Sequence, residues 1–461
     1  MRGEVGCIQY WFNAGYTVGS CFPLGIAKLL DNWNRNRMTT TLRPHNASHN
    51  SESEESTSRR PGPSLTTAGV DRQSNAILAQ VRLAILTHYL PPYIERVFEH
   101  VAEAVPHTQV LLSIPIEPNR KYAHNWGNLD VQVQKSLMLR RPWKHRAGFK
   151  DQLYVHIPYD TYGRLRRFQP DIILSYELGF RSLGSALYRR MHPRSRLAYC
   201  VCVSEHTEVG RGSARWLLRR TLVRIADAVT FNGPSCASYL RRLGVPDHKL
   251  FAFPYAADDR SEPSRLHEHA QEPNRRLLVV GQLNERKGIM PLLDSLADYC
   301  RRRPELTWDL TFVGTGPLEA SMRARIHPNN LRVNLLGHIS PNELASQWAD
   351  YGVLLFPTLA DEWGLVVNEA LRGGLPVIGS RYAQASTTLI EEGRNGWLYS
   401  PDDRSEFHCK LDHLAGLTAA QLSEMRCHAR ASVAHITSRA AAESACSMFR
   451  ALSTSPQVIR V

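Results

Sequence analysis

The 461-residue chain lacks the short motifs that mark several common chemistries. It has no HExxH, no zinc-ligand spacing and no P-loop, which argues against zinc hydrolases and P-loop nucleotidases. Its nine cysteines form no CxxC pair. Cys200 and Cys202 fall on one face of an apolar strand, so reduced core thiols and a cytoplasmic setting are expected. No apolar run reaches the roughly 18 residues of a spanning helix. No basic start leads into a clean cleavage site, so no signal peptide is expected. Internal repeats are absent. Positive charge is plentiful, with 56 Lys and Arg against 43 Asp and Glu, a net +13. That balance calls for an acidic partner: a nucleotide phosphate, an anionic lipid headgroup or a nucleic acid. Aromatic platforms and known modules for the last are missing, so nucleic acid is not an expected partner.

Length alone favours two domains. Residues 1–79 form an expected disordered extension, because Asp31 to Ser74 is rich in Ser, Thr, Asn, Arg and Pro. Such a composition buries too little apolar surface to offset chain entropy. Residues 80–260 alternate short apolar runs with helical patterns, beginning with a strand from Arg82 to Thr87. That alternation predicts βαβ units and a parallel sheet. Asp258 to Asn274 is polar and reads as a linker. Residues 275–430 repeat the alternation as a second domain, and 431–461 read as a C-terminal helix and tail. Two stretches combine basic and apolar residues, 135–150 and 211–225. Both are expected as amphipathic helices suited to an anionic membrane surface.

The stretch from Pro357 to Ser380 organises the second half. The apolar run 353–356 predicts a buried strand. The turn Asp361-Glu362-Trp363-Gly364 leads into a helix from Leu365 that stops at Gly373-Gly374. Free N–H groups at such a helix start form an anion site. Asp361 and Glu369 beside it cannot serve the anion, so they must address hydroxyl groups of the same ligand. Gly281-Gln282-Leu283-Asn284-Glu285-Arg286-Lys287-Gly288 also lies between a strand and a helix, where a lysine suits a developing dianion. Gly314-Thr315-Gly316-Pro317 lacks the third glycine of a dinucleotide fingerprint, which argues against hydride chemistry. His206 follows the apolar strand 197–203, and ligands of open α/β sheets lie outside strand carboxyl ends.

These stretches resemble the retaining GT-B glycosyltransferases of the group 1, or family 4-like, kind. Their frame EGFGLxxxEAxxxGxPVI is matched by Asp361, Trp363, Gly364, Leu365, Glu369, Ala370, Gly374, Pro376, Val377 and Ile378. Asp361 stands at the first Glu and Glu362 at the usual Gly. The frame GRLxxxKG is matched at Lys287, with Gln282 in place of its Arg. The resemblance implies an α/β GT-B fold, two Rossmann-like domains facing a cleft. The N-terminal half would bind the acceptor and the C-terminal half a nucleotide sugar. Glu369 would hold ribose hydroxyls and Asp361 sugar hydroxyls. Lys287, with Arg286 supplementing Gln282, and the amides near Gly364 and Leu365 would meet the leaving diphosphate. Gly316 and the backbone around His338 would lie along the donor, and His206 would meet the transferred sugar. Pro91-Pro92 stands where some members have a Gly-Gly pair. No Asp-x-Asp is present, so neither a metal nor another cofactor is expected. The acceptor would be a glycan or a lipid-linked sugar, in cell-envelope or exopolysaccharide assembly, with the enzyme cytoplasmic and peripheral at the inner membrane face. A nucleotide-sugar epimerase of the same fold and a non-catalytic sugar-nucleotide binder are the rival readings.

Overall fold

A computed structural model describes residues 76–117, 126–260 and 273–454. The expected extension lies outside the described residues as far as residue 75. Its last four residues do not: 76–79 make a helical turn, and Leu78 is wholly buried in the first core. Ordered structure therefore starts before residue 80, because the apolar turn Ala76-Ile77-Leu78-Ala79 follows the polar stretch and Leu78 anchors it in the first core.

The first half contributes β1 (Arg82–Thr87), β2 (His107–Leu112), β3 (Asp130–Val133), β4 (Ser136–Lys144), β5 (Lys150–Pro158), β6 (Ile172–Tyr176), β7 (Arg196–Val201), β8 (Ala228–Phe231) and β9 (Leu250–Ala252). Seven of these make one sheet in the order β3-β2-β1-β6-β7-β8-β9, every pair parallel. The second half contributes β10 (Arg276–Val280), β11 (Trp308–Val313), β12 (Leu331–Gly337), β13 (Val353–Phe356), β14 (Val377–Ser380) and β15 (Gly396–Tyr399). They form a second parallel sheet, β12-β11-β10-β13-β14-β15. Helices cover both faces, so β13 is buried along its whole length and reads as continuous Val-Leu-Leu-Phe. In each sheet the order reverses at the first strand, β1 or β10. The crevices at those reversals open at the strand carboxyl ends, where ligands of such sheets sit.

The chain finishes on the half in which it began. Helix Ser438–Thr454 packs on helix Pro92–Ala104. Ala441, Ala442, Ala445, Met448 and Phe449 join Leu83, Ile85, Val97 and Phe98 in one core. Its alanines let the two helices approach closely. Asp259 tethers its start, accepting from Ser438 N at 2.9 Å and Ser438 Oγ at 2.6 Å. Arg372 in turn donates to the carbonyls of Asp258 and Asp259 at 2.8 and 3.3 Å. The start of the expected linker is thus tied down; its residues 261–272 lie outside the described residues.

One expected helix is a hairpin. Residues 136–158 fold as β4 and β5, antiparallel, with Trp143 opposite Asp151. Pro142 cannot donate to a helix, and exposure alternates along β4 with a period near two. Gly148 turns the tip at φ 89. The second basic stretch is helical as expected, over Ser213–Ile225, but Arg219, Leu222 and Val223 face the core.

Candidate active site

Two loops meet at the carboxyl ends of β10 and β13. The first is a turn over Glu285–Lys287, closed by Asn284, whose Oδ1 accepts from Lys287 N at 3.1 Å. The second, residues 357–364, lies directly on it. Leu359 N donates to the Arg286 carbonyl at 2.8 Å, and Thr358 Oγ1 donates to the same carbonyl at 3.2 Å. Backbone bonding between loops so distant in sequence fixes where Arg286 and Lys287 point.

Both cations point at Asp361. Lys287 Nζ lies 2.5 Å and Arg286 Nη1 3.4 Å from its Oδ2. Burial pushes the Asp361 carboxyl up, but Lys287 and then Arg286 outweigh it and hold the group below the ordinary aspartate value. Asp361 is therefore ionised at neutral pH. Gly364 follows in the left-handed region at φ 103, and a Cβ there would lie 2.6 Å from the Phe356 ring. Glycine thus lets the helix Leu365–Arg372 start against β13, and no side chain caps its first turn. Trp363 Nε1 donates to Asn368 Oδ1 at 2.7 Å, and Asn368 Nδ2 donates to the Tyr255 carbonyl at 2.9 Å, which fixes the helix against the end of the first half.

The carboxyl of Glu369, half-buried on this helix, differs from that of Asp361 in having no hydrogen bond or ion pair among the described residues. Burial, with a smaller contribution from Asp258, raises its pKa to about 7. An unpaired carboxyl one turn beyond an anion site is free to receive hydroxyl donors.

The first half supplies His206, on the short helix Glu205–Glu208 that Ser204 and Thr207 cap reciprocally. Its Nε2 donates to the Leu359 carbonyl of the second half at 2.9 Å, which fixes the tautomer. Its ring stacks on Tyr382 at 4.3 Å and 1°. Tyr382 donates to Asp402 at 2.6 Å, and that bond pushes its phenol up to about 12. The hairpin reaches the same place. Its His145 ring stands 5.6 Å from His206, and Asp151 Oδ2 accepts from Arg286 Nε at 2.9 Å. Lys150 N also donates to Glu285 Oε2 at 2.9 Å.

Lys287, Arg286, Asp361, Gly364, Leu365 and His206 thus converge, with Glu369 a turn further on. Gln282, Gly316 and His338 form a second group to the side. Gln282 Oε1 accepts from Asn284 Nδ2 at 3.3 Å. A Cβ on Gly316 would collide with the Leu283 carbonyl, so this glycine serves close packing of two loops. His338 is exposed at the end of β12, next to Gly337, whose carbonyl accepts from Gly314 N at 2.7 Å.

Several participants were not anticipated. Tyr382 lies just past the carboxyl end of β14, and the rule that found His206 points to it as well. Gln384 is buried between the halves: Oε1 accepts from Cys236 N at 2.8 Å, and Nε2 lies 3.0 Å from Asn232 Oδ1. Glu362 occupies the position where the family frame has glycine. Burial, then Glu177 and Glu208 of the first half, raise its pKa to about 7. Among the described residues, no group of three or more His, Cys, Asp or Glu is arranged to hold a metal ion.

Two outcomes follow from this geometry. Only the ionised Glu369 accepts two hydroxyl bonds, so nucleoside diphosphate affinity should rise as pH passes upward through about 7, beyond any rise caused by ionisation of the phosphate itself. Glu369→Gln should abolish that extra rise, as calorimetric titration of both proteins between pH 6 and 8 would show. Asp151→Ala frees Arg286 from a competing carboxylate. It should tighten nucleoside diphosphate binding roughly two- to fivefold, the scale of one partly exposed ion pair; weaker binding would mean that Asp151 supports the site instead.

Known proteins are similar to this chain in sequence and in fold. Residues 274–416 match the family model described as Glycosyl transferases group 1. The sulfoquinovosyl transferase SQD2 of Arabidopsis thaliana is 26% identical over 268 residues, 54% of this chain and 50% of that protein. The D-inositol 3-phosphate glycosyltransferase of Pseudarthrobacter chlorophenolicus is 30% identical over 202 residues, 42% of this chain and 46% of that protein. The chain thus spans about half the length of these curated relatives. Among solved structures, Anabaena Alr3699/HepE in complex with UDP superposes with a TM-score of 0.62 at 15% identity, covering 80% of this chain and 100% of that one. The sucrose-phosphate synthase of Thermosynechococcus elongatus superposes with 0.59 at 17% identity, covering 80% and 99%. Residues 274–416 thus resemble the group 1 glycosyltransferases, and the described residues carry the GT-B fold of two Rossmann-like domains.

Proposed function

We propose that the protein is a retaining glycosyltransferase that moves a sugar from a nucleotide-sugar donor to a glycan or lipid-linked acceptor, in assembly of cell-envelope or exopolysaccharide material. The observation that carries this reading is the meeting of Lys287, Arg286 and Asp361 with an uncapped helix start on one side and His206 on the other. Cations and free amides face a departing diphosphate, and carboxylates face sugar and ribose hydroxyls.

In the proposed reaction the bond from the anomeric carbon to the donor phosphate oxygen breaks, and its electron pair stays on the diphosphate. Lys287, Arg286 and the amides of Leu365 and its neighbours take up that charge, which is electrostatic catalysis without a metal. The acceptor hydroxyl bonds to the anomeric carbon on the face the phosphate leaves, and its proton passes to the departing phosphate oxygen. Configuration is thereby retained. Asp361 holds hydroxyls of the sugar and Glu369 those of the ribose. Gln282, Gly316 and the backbone at His338 border the nucleoside. His206, fixed by Leu359 and Tyr382, contacts the transferred sugar. The diphosphate must share Arg286 and Lys287 with Asp361 and Asp151, so donor loading rearranges the ion pairs that join the two halves. All seven cysteines among the described residues are free, in keeping with a cytoplasmic enzyme.

A donor screen tests this reading, beginning with UDP-sugars because one structural neighbour holds UDP. The wild-type protein should release nucleoside diphosphate from one donor, and a strong chelator should not stop it. His206→Ala should keep nucleoside diphosphate affinity and lose roughly two orders of magnitude in turnover, the size of one preorganised contact. Conversion of the donor to its epimer without an acceptor would replace transfer by epimerisation. Loss of activity in chelator, restored by magnesium or manganese, would overturn the metal-free mechanism.

A further inference from the structure

Of the thirteen large apolar side chains exposed among the described residues, eight lie between Phe180 and Ile225. The concentration has a geometric cause. Helix Phe180–Met191 carries Phe180, Leu183, Leu187 and Met191 at spacings of three and four, which draws one stripe along its outer side. Ser182, Ser185, Ala186 and Tyr188, on the opposite side, are the ones that face the core. Helix Ser213–Ile225 packs beside it and adds Trp216 and Leu217. Met191 and Leu217 are 60% and 61% exposed. Single exposed leucines are ordinary, but an apolar stripe along one helix, with further exposed apolar residues on the helix it touches, marks an interaction surface.

Its charge identifies the partner. Helix Thr161–Phe168, which packs on Phe180–Met191, and the two helices of the face contain no Asp or Glu at all. Arginines that point inward have acidic partners: Arg189 with Asp227, Arg215 and Arg219 with Glu208. Arg190 and Arg194, on either side of Met191, are exposed, as is Arg166 on the neighbouring helix. Long arginine stems can lie along apolar surface while their heads reach outward to phosphate. The stripe also begins only three residues beyond Glu177, at the carboxyl end of β6, so it starts at the rim of the cleft. Among the described residues no helix is long and apolar enough to cross a membrane, so contact of this face would lie along a surface.

We infer that this face of the first half docks on an anionic phospholipid bilayer, with the apolar stripe entering the acyl boundary and the surrounding arginines on lipid phosphates. The arrangement has the two components such binding needs, buried apolar area and basic charge. It also replaces the surface expected from residues 135–150, which form the hairpin at the cleft.

Co-sedimentation of the full chain with vesicles tests the inference and requires neither donor nor acceptor, so its outcome is separate from that of the transferase reading. Wild-type protein should pellet with vesicles of phosphatidylcholine and phosphatidylglycerol, and far less with phosphatidylcholine alone. Leu187→Ser with Leu217→Ser should lower binding at least roughly tenfold, and Arg190→Glu with Arg194→Glu should weaken it and remove most of its salt dependence. Both double variants change exposed residues, so thermal unfolding should match wild type. Wild-type protein that stays in solution with the anionic vesicles would overturn the inference, as would a serine variant that pellets like wild type. A wild-type dimer in light scattering that the serine variant dissociates would assign the face to a second copy of the chain and overturn it equally.

Discussion

The structure turns on one charge arrangement: two adjacent cations, Arg286 and Lys287, held between carboxylates of both halves. Asp361 engages both from within the second half, and Asp151 reaches Arg286 from the hairpin of the first. Partly buried charges of one sign, placed side by side, are costly without counter-ions. The carboxylates therefore keep the loops closed upon each other, and any ligand diphosphate has to compete with them. Binding of the proposed donor and contact between the halves are for that reason the same electrostatic problem. The hairpin thus borders the candidate site although it belongs to the other half.

Uncharged contacts hold the halves in the register this arrangement needs. Gln384 reaches across to Cys236 N, Asn368 to the carbonyl of Tyr255, and His206 to the carbonyl of Leu359. Each is a directional bond to backbone, intolerant of sliding. The C-terminal helix adds an apolar clasp by completing the first core with Ala441, Met448 and Phe449. The chain crosses between halves twice, near residues 259 and 438, and Asp259 joins the two crossings through Ser438.

The second half was legible because its signals are local. A buried strand, a glycine turn, a short helix and a second strand occupy 353–380 consecutively, and the spacing of Asp361, Gly364 and Glu369 survives in three dimensions. His206 was legible because ligands gather at strand carboxyl ends. What escaped reading depends on sequence-distant partners. Asp151 is 135 residues from Arg286, and neither residue carries a pattern that names the other. Stretch 135–150 was read as a helix from its basic and apolar content, although Pro142 and the alternation of exposure favour strands. Leu78 fell on the wrong side of the boundary because the apolar turn Ala76-Ile77-Leu78-Ala79 is too short to show as an element beside the strand that follows it. The raised pKa values of Glu362 and Glu369 come from burial between packed elements, which no local spacing records.

The central claim is that Arg286 and Lys287 are the diphosphate site. Calorimetric titration of wild type and Lys287→Ala with UDP, GDP and ADP tests it most directly. The account predicts that one of the three binds wild type at a single site. It also predicts that Lys287→Ala weakens this binding by roughly ten- to a hundredfold, the range of one charge-assisted contact. Equal affinity in the two proteins, or no binding of any of the three to wild type, would contradict it.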